Sequence, residues 1–243
     1  MKLERKVRLC SAAAAVLIAA IALTGCGGSK TTASSAAASS VAASTAAATN
    51  NSCGEGVTWA LADGTLTISG TGRMTNFTKD APAPWADQAD QITTVEVEGT
   101  VTSVGATAFK DCTALTTVNI ADGVEYIEAG AFNGCTALTE VYIPDSVVDM
   151  GTSVFLDCDN LQSLTVSDGN SAYRLGSAGE LLNYDGTQIL YVPASATGEY
   201  VIEQGMTAGD YAFAGTGVTK VVIPNSMTVI PVGMFANCAS LTE

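Results

Sequence analysis

Hydrophobic residues recur along the second half of the chain with a period of 23 residues. Phe109, Phe132 and Phe155 occupy the same position in three successive units, and the apolar residues that follow each of them keep their spacing. The recurring positions after the phenylalanine are Cys112, Cys135 and Cys158; Leu115, Leu138 and Leu161; Val118, Val141 and Leu164; and Ile120, Ile143 and Val166. Five positions that stay in register over three copies indicate an internal repeat rather than chance periodicity.

The end of each unit has the spacing of a β-strand. In Leu-x-x-Val-x-Ile the last two apolar residues alternate with polar ones, as a half-buried strand requires, so the pattern predicts one strand per repeat. The Ala-Phe-x-x-Cys segment before it favours a tight, buried turn or a short helix on the far side of the coil. An apolar pair lies upstream in each unit, and turn residues follow the strands at Asp122-Gly123, Asp145-Ser146 and Asn225-Ser226. The upstream pairs are Val101 and Val104, Val124 and Ile127, and Val147 and Met150.

A single unit has too few apolar side chains to offset the entropy of ordering its backbone. Stacked units share their apolar faces and form a parallel strand ladder, and this sharing stabilises solenoids. The repeat therefore predicts a mostly β fold, with a solenoid of about 23-residue coils over residues 91–243.

Several copies depart from the regular frame. A degenerate first copy contains Ile92, Val95 and Val97, and the copy after Phe213 is one residue shorter and lacks the cysteine. The last copy follows Phe235 and contains Cys238 and Leu241. It stops before the next inward apolar position, so we expect a chain truncated at its C-terminus; a frayed terminal strand is the alternative.

Two segments outside the frame have the pattern of β-hairpins. The distance from Phe155 to Phe213 is 58 residues, and the surplus contains two apolar runs around Asp185-Gly186, which predicts an inserted hairpin over residues 181–191. A second hairpin is expected between Val57 and Ser69, folded about Asp63-Gly64. This hairpin would cover the N-terminal edge of the solenoid, as a cap over residues 53–90.

The N-terminus has the features of a signal peptide, assigned to residues 1–25. Basic residues precede an apolar run from Leu9 to Leu23, which is shorter than the roughly 20 residues of a membrane-spanning helix. The sequence Leu23-Thr24-Gly25-Cys26 resembles a bacterial lipobox, which implies lipidation of Cys26; a chance cysteine after an ordinary cleavage site is the alternative. Residues 26–52 are rich in Ser, Ala, Thr and Gly, which indicates a flexible tether.

Charge and composition exclude several classes of function. The net charge is −14, and it becomes −17 once residues 1–25, with four basic side chains and one acidic, are removed. Because nucleic acids and anionic membrane surfaces need a basic partner, neither is expected to bind; membrane attachment would come only through the lipid on Cys26. The absence of histidine removes Ser/His and Cys/His nucleophilic catalysis and all histidine metal sites. We therefore expect no enzyme and no cofactor.

The repeats resemble the BspA-like leucine-rich repeat proteins of bacterial surfaces. The resemblance lies in Ala108–Leu115 and Gly130–Leu138, and in the Cys53–Trp59 and Gly64–Gly72 segments that precede the repeats. It implies a leucine-rich repeat solenoid outside the cell, with adhesion or host interaction as the function of some members. It is specific for the fold and weak for the ligand.

The remaining cysteines and several acidic residues are further candidates for chemistry. Stacked thiols of Cys112, Cys135 and Cys158 would lie about 4.8 Å apart and parallel, which disfavours disulfides, while the state of Cys53 stays open. Paired C-x-x-C spacing for zinc is absent from the sequence. Asp157, Asp159 and Asn160 suggest calcium, but they lack the EF-hand pattern. No metal site is predicted.

The better candidate site is the exposed side of the strand ladder, where residues that alternate with buried ones line up across coils. Tyr142 and Val222 are its apolar members, and an exposed aromatic among polar neighbours is a plausible contact residue. The candidate face consists of Thr94, Glu96, Thr117, Asn119, Glu140, Tyr142, Ser163, Thr165, Lys220 and Val222. A solvated sheet face without a ligand is the alternative, and the hairpin tip at Tyr184 and Asp185 competes with it.

Together these features predict a lipid-anchored, outward-facing protein of the bacterial envelope that binds a protein or glycan. An accessory binding module or spacer of a larger envelope protein or enzyme is the alternative. A two-lobed solute-binding lipoprotein is disfavoured, because the 23-residue repeat leaves no room for its long helices.

Overall fold

The computed structural model describes residues 51–243, in which β-strands alternate with turns and the single helix is the 3-10 helix Ala86–Gln91. In chain order the strands are β1 (Ser52–Gly54), β2 (Val57–Ala62), β3 (Thr65–Gly70), β4 (Gly72–Arg73), β5 (Thr94–Val97), β6 (Val101–Val104), β7 (Thr117–Ile120), β8 (Tyr126–Ile127), β9 (Glu140–Ile143), β10 (Asp149–Met150), β11 (Ser163–Val166), β12 (Tyr173–Leu175), β13 (Leu181–Asn183), β14 (Gln188–Tyr191), β15 (Thr197–Val201), β16 (Thr207–Ala208) and β17 (Gly217–Val222).

The predicted strand of each repeat forms one side of the solenoid, which we call the first ladder. Strands β3, β5 and β7 pair in parallel, so that Leu66, Val95 and Val118 lie in one buried column. Strands β9 and β11 pair in parallel with a register shift of 23 residues, Val141 opposite Leu164, and β15 pairs with β17. The predicted mostly β solenoid with parallel pairing is confirmed.

A second ladder runs along another side of the coils, where β4, β6, β8 and β10 pair in parallel. The prediction of one strand per repeat is therefore wrong. The upstream apolar pairs form these extra strands, with Val101, Val104 and Ile127 fully buried or nearly so. Because β8 and β10 have only two residues each, they are too short to show the alternation by which strands are recognised.

The third side consists of stacked turns around a column of aromatic rings. The ring of Phe109 lies 5.4 Å from that of Phe132, and Phe132 lies 6.0 Å from Phe155, in both cases nearly parallel. Trp85 extends the column, since its ring stacks on Phe109 at 5.8 Å and its indole N–H donates to the Ala108 carbonyl. The expected alignment of the repeat phenylalanines is confirmed, and their rings fill the core on this side.

Both predicted hairpins are present. Strands β2 and β3 are antiparallel around Asp63-Gly64, and β3 also begins the first ladder, so this hairpin is continuous with the repeats. Strands β13 and β14 are antiparallel around Asp185-Gly186. In each case the Asp-Gly pair supplies the turn, and both glycines have positive φ, at 78° and 73°.

One coil, which the sequence did not reveal, is shorter than the rest. Strand β14 pairs with β16 in parallel and β15 pairs with β17, so residues 188–201 contribute to two sides of the solenoid. Five residues, Val192–Ala196, connect β14 to β15, whereas twelve, Gly105–Thr116, connect β6 to β7. This short coil therefore lacks the turn that forms the third side elsewhere.

Candidate binding surface

The ten residues of the predicted face all lie on the outward side of first-ladder strands. They are exposed or half-buried, while their neighbours in the strands, such as Val118 and Val141, are buried. As the sequence pattern predicts, these side chains alternate with buried ones and point away from the core. Thr94 and Glu96 come from β5, Ser163 and Thr165 from β11, and Lys220 and Val222 from β17.

The first ladder is interrupted between β7 and β9. On either side of this break, the N–H of Ala121 donates to the Val97 carbonyl at 3.2 Å and that of Ser167 donates to the Ile143 carbonyl at 3.0 Å. The equivalent residue between them is Pro144, which has no N–H to donate to Ile120. Within residues 51–243, no strand pairing joins β7 to β9.

A shallow groove of about 260 Å³ lies along this break and brings together half of the predicted face. Tyr142 is 46% exposed, a large value for an aromatic residue, and its ring is flanked by carboxylate, amide and hydroxyl groups. The predicted residues that line the groove are Thr117, Asn119, Glu140, Tyr142 and Thr165. An amphipathic ring beside polar groups provides both an apolar contact and hydrogen-bonding partners.

The face is held by polar contacts between coils and has an acidic character. The amide of Asn119 donates to Glu96 Oε1 at 2.7 Å, which fixes both side chains beside the groove. Lys220 lies 3.7 Å from Glu199 and 3.6 Å from Glu243, so its charge is balanced locally. Glu140 has no cation partner among the described residues. The groove therefore favours neutral or basic groups over anions.

Part of the outward surface, in strand β15, was not predicted from the sequence. Lys220 and Val222 lie in the separate two-stranded sheet of β15 and β17, and their neighbours there are Glu199 and Val201 of the short coil. The available signal was the run of strand-favouring residues Tyr200, Val201 and Ile202. In the structure Ile202 is buried and Tyr200 half-buried, whereas Glu199 and Val201 are exposed. The competing hairpin tip is also exposed, since Tyr184 is 57% accessible.

The repeat cysteines lie inside the core. Cys112, Cys135 and Cys158 are buried free thiols, and the Sγ of Cys135 and of Cys158 each donates to a phenylalanine carbonyl of the preceding coil at 3.1 Å. Burial raises the pKa of Cys112 and Cys158 to about 12 and raises that of Cys135 further. The thiolate, which is the nucleophile, is therefore strongly disfavoured. Cys53 is also a buried free thiol, and burial raises its pKa to about 11.

The predictions about metal sites, membrane-spanning helices and the N-terminal segment concern other parts of the chain. Residues 51–243 contain no group of three or more Cys, Asp and Glu side chains placed to hold a metal ion. In the same range no helix has the length and hydropathy required to cross a bilayer. The signal peptide, Cys26 and most of the tether lie outside the described residues, and Ser52 already belongs to β1.

Comparison with solved structures finds several proteins of similar fold. Pneumococcal vaccine antigen PcpA is 14% identical over 78% of this chain and 68% of its own, with a TM-score of 0.57, which supports the fold. A leucine-rich repeat protein from Eubacterium ventriosum is 25% identical over 78% of this chain and 69% of that one, with a TM-score of 0.46. A leucine-rich cell surface protein from Faecalibacterium prausnitzii is 17% identical over 76% and 79%, with a TM-score of 0.44.

Comparison with curated proteins gives no match. A family model does match, namely the one described as a BspA type leucine-rich repeat region. It matches six copies over residues 87–177 and 201–243, which is more than half of the chain. The matched ranges contain the strands that carry the candidate face, and they leave out the whole inserted hairpin and all but the last residue of β15 in the short coil. The chain belongs to the BspA-type leucine-rich repeat family.

Proposed function

We propose that this protein binds an extracellular protein or glycan through the outward face of the first ladder, centred on the groove between β7 and β9. The observation that supports this most is Tyr142, an exposed aromatic ring beside a break in the ladder. Contact residues that dominate binding are commonly aromatic, central and surrounded by polar groups. Adhesion or host interaction is the biological role that such a surface would serve.

A binding role is favoured over catalysis because histidine is absent and the repeat thiols are inaccessible. Burial also keeps these thiols protonated. On the groove, Glu140 is the single carboxylate of the lining residues, so the paired carboxylates used for acid–base chemistry are missing there. These features support recognition by a static surface rather than turnover of a substrate.

The expected effect of Tyr142→Ala is a loss of affinity of about 10-fold or more, because truncation removes the central ring of the groove. A ligand would first be identified by applying the protein to arrays of extracellular proteins and of glycans, and its affinity then measured by surface plasmon resonance. Tyr184→Ala is the matched control, since it removes an exposed tyrosine, 57% accessible against 46% for Tyr142, from the inserted hairpin. If the control weakens binding and Tyr142→Ala does not, the hairpin tip is the site instead.

We further propose that the protein is anchored at the bacterial surface by lipid on Cys26, with the residues between Cys26 and β1 as a tether. Two or more acyl chains provide lasting attachment where a single chain does not. Cys26→Ala is expected to move the protein from the detergent phase to the aqueous phase in Triton X-114 partitioning. Cys10→Ala, a cysteine within the signal peptide, should leave partitioning unchanged. Retention of the Cys26→Ala variant in the detergent phase would reject lipidation at this residue.

The alternative function is an accessory binding module or spacer of a larger envelope protein. Both versions share the solenoid, and the spacer differs in needing no ligand of its own. Array experiments in which the wild-type chain retains neither protein nor glycan favour the spacer.

A further inference from the structure

The third side of the solenoid is built from turns whose amides bind the next coil. In the regular coils the phenylalanine N–H donates to a carbonyl one coil further on, with Phe109 bonded to Ala131 at 2.9 Å and Phe132 to Val154 at 3.0 Å. The N–H two residues earlier does the same, as Thr107 does to Ala129 at 3.1 Å. In each regular turn, a row of backbone N–H groups thus donates to peptide carbonyls of the next coil.

The row is interrupted where the short coil omits its turn. Within residues 51–243, the N–H groups of Ser153 and Phe155, which are equivalent to those of Thr107 and Phe109, have no hydrogen-bond partner. Phe155 is only 3% exposed, and a buried amide without a partner is costly. On the facing coil, the Asp210 carbonyl has no donor in the described residues, although its equivalent Val232 accepts from Tyr211 at 2.9 Å.

A cavity of about 230 Å³, which we call the turn gap, lies between these two coils. The chain itself fills part of the missing turn. The Val192 N–H donates to the Ala212 carbonyl at 2.8 Å, and the Tyr191 ring lies edge-on against Phe155 at 5.5 Å. The residues that line the space left over include Ser153, Phe155, Leu181, Leu190, Asp210 and Tyr211.

One wall of the turn gap has an unusual backbone. Tyr211 has a φ of 59°, in the left-handed region, at a position occupied by Thr107, Gly130, Ser153 and Gly233 in other coils. This conformation is a feature of the repeat, and Tyr211 is unusual only in placing a bulky side chain there. The ring packs over Gly233, where a Cβ would lie only 2.2 Å from its Cε1 atom. Glycine at 233 therefore allows the tyrosine to take this position beside the cavity.

We propose that the turn gap binds a short segment of polypeptide main chain from a partner protein. Two of its carbonyl oxygens accept from the N–H groups of Ser153 and Phe155, and one of its N–H groups donates to the Asp210 carbonyl. The ligand class follows from the equivalent row in the regular coils, which binds peptide carbonyls. Free carboxylates are disfavoured, because Asp210 borders the gap and Asp157 lies at the end of the same row. This site is separate from the groove at Tyr142.

The test uses the full chain, labelled with nitrogen-15 and held in detergent micelles, with the peptide Ac-Ala-Gly-Ala-NH2 as the probe. Titration should shift the amide protons of Ser153 and Phe155 downfield, as new hydrogen bonds do, and slow their exchange with solvent in proportion to the bound fraction. Sodium acetate and glucose, which offer a carboxylate and hydroxyl groups, are the control ligands and should leave both resonances unmoved.

Gly209→Val is the matched variant, because Gly209 lines the gap and a Cβ there meets only the Ile189 carbonyl oxygen at 3.6 Å and the Leu190 Cα at 3.9 Å, so we expect the added side chain to occupy the gap. It should abolish the peptide-induced shifts, whereas Tyr142→Ala should keep them. Resonances of Ser153 and Phe155 that stay unmoved in the wild-type chain up to the solubility limit of the peptide would overturn the proposal. Equal shifts with acetate or glucose would also overturn it, and the wild-type titration decides even if Gly209→Val does not fold.

Discussion

Replacing Phe132 with alanine is expected to lower the free energy of unfolding by about 3–5 kcal/mol. The side chain is fully buried, and its ring is stacked between Phe109 and Phe155 at 5.4 and 6.0 Å, so truncation removes contacts on both faces. The cavity left behind lies in the middle of the aromatic column, where turns on either side are tied by backbone hydrogen bonds and cannot collapse fully into the space. Urea unfolding followed by circular dichroism measures the loss.

Tyr142→Ala provides the control for this experiment, since it also removes an aromatic ring from the same coil. Its side chain projects from the outward face, and exposed substitutions of this kind usually change stability by no more than about 0.5 kcal/mol. A loss below about 1 kcal/mol for Phe132→Ala would show that the column does not stabilise the stack. The pair of variants therefore separates the residue that holds coils together from the residue that we propose contacts a ligand.

The column and the first ladder could be predicted because they depend on spacing alone. Phe109, Phe132 and Phe155 repeat every 23 residues, and equal spacing in a stacked chain places equivalent side chains above one another. The outward orientation of the candidate face follows from the same frame, because its residues alternate with buried ones. Both predictions hold even where the predicted strand boundaries are slightly wrong.

Features that depend on a single departure from the frame were harder to predict. The second ladder was not predicted because β8 and β10 have two residues each, too few to show an alternating pattern. The short coil was not predicted because it lacks the turn that contains the repeat phenylalanine. The sequence therefore has no phenylalanine between Phe155 and Phe213 to indicate an additional coil. Pro144 was visible in the sequence, but its consequence required knowing that Ala121 and Ser167 donate to neighbouring strands at the equivalent positions.

The groove and the turn gap both lie where hydrogen bonds that regularly join neighbouring coils are missing. At the groove a proline removes one donor, and at the turn gap a shortened connection removes the acceptors. In a solenoid each coil contacts only its neighbours, so such a defect stays local, and at the groove the second ladder continues past the break from β8 to β10. This tolerance allows grooves and gaps to form in the surface without loss of the fold.

Gly123→Ala is expected to destabilise the chain by about 3 kcal/mol or more, because two penalties act at one position. Gly123 follows β7 in the predicted Asp-Gly turn and has a φ of 145°, a conformation that costs residues with a Cβ about 1–3 kcal/mol. A Cβ there would also lie 2.0 Å from the carbonyl oxygen of Gly99 in the preceding coil. Since that oxygen belongs to the backbone, relief of the overlap requires the two coils to move apart.

Gly179→Ala separates the two penalties. Gly179 also has a positive φ, 81°, but no atom lies within 4 Å of the position that a Cβ would take, so only the conformational cost of about 1–2 kcal/mol should appear. Urea unfolding of both variants then gives the contribution of coil contact as the difference between their losses. Equal losses would mean that the coils can separate at this turn without cost, which contradicts the close stacking on which the solenoid depends. A larger loss for Gly123→Ala would show that the stability of the fold depends in part on the close approach of Gly123 to Gly99.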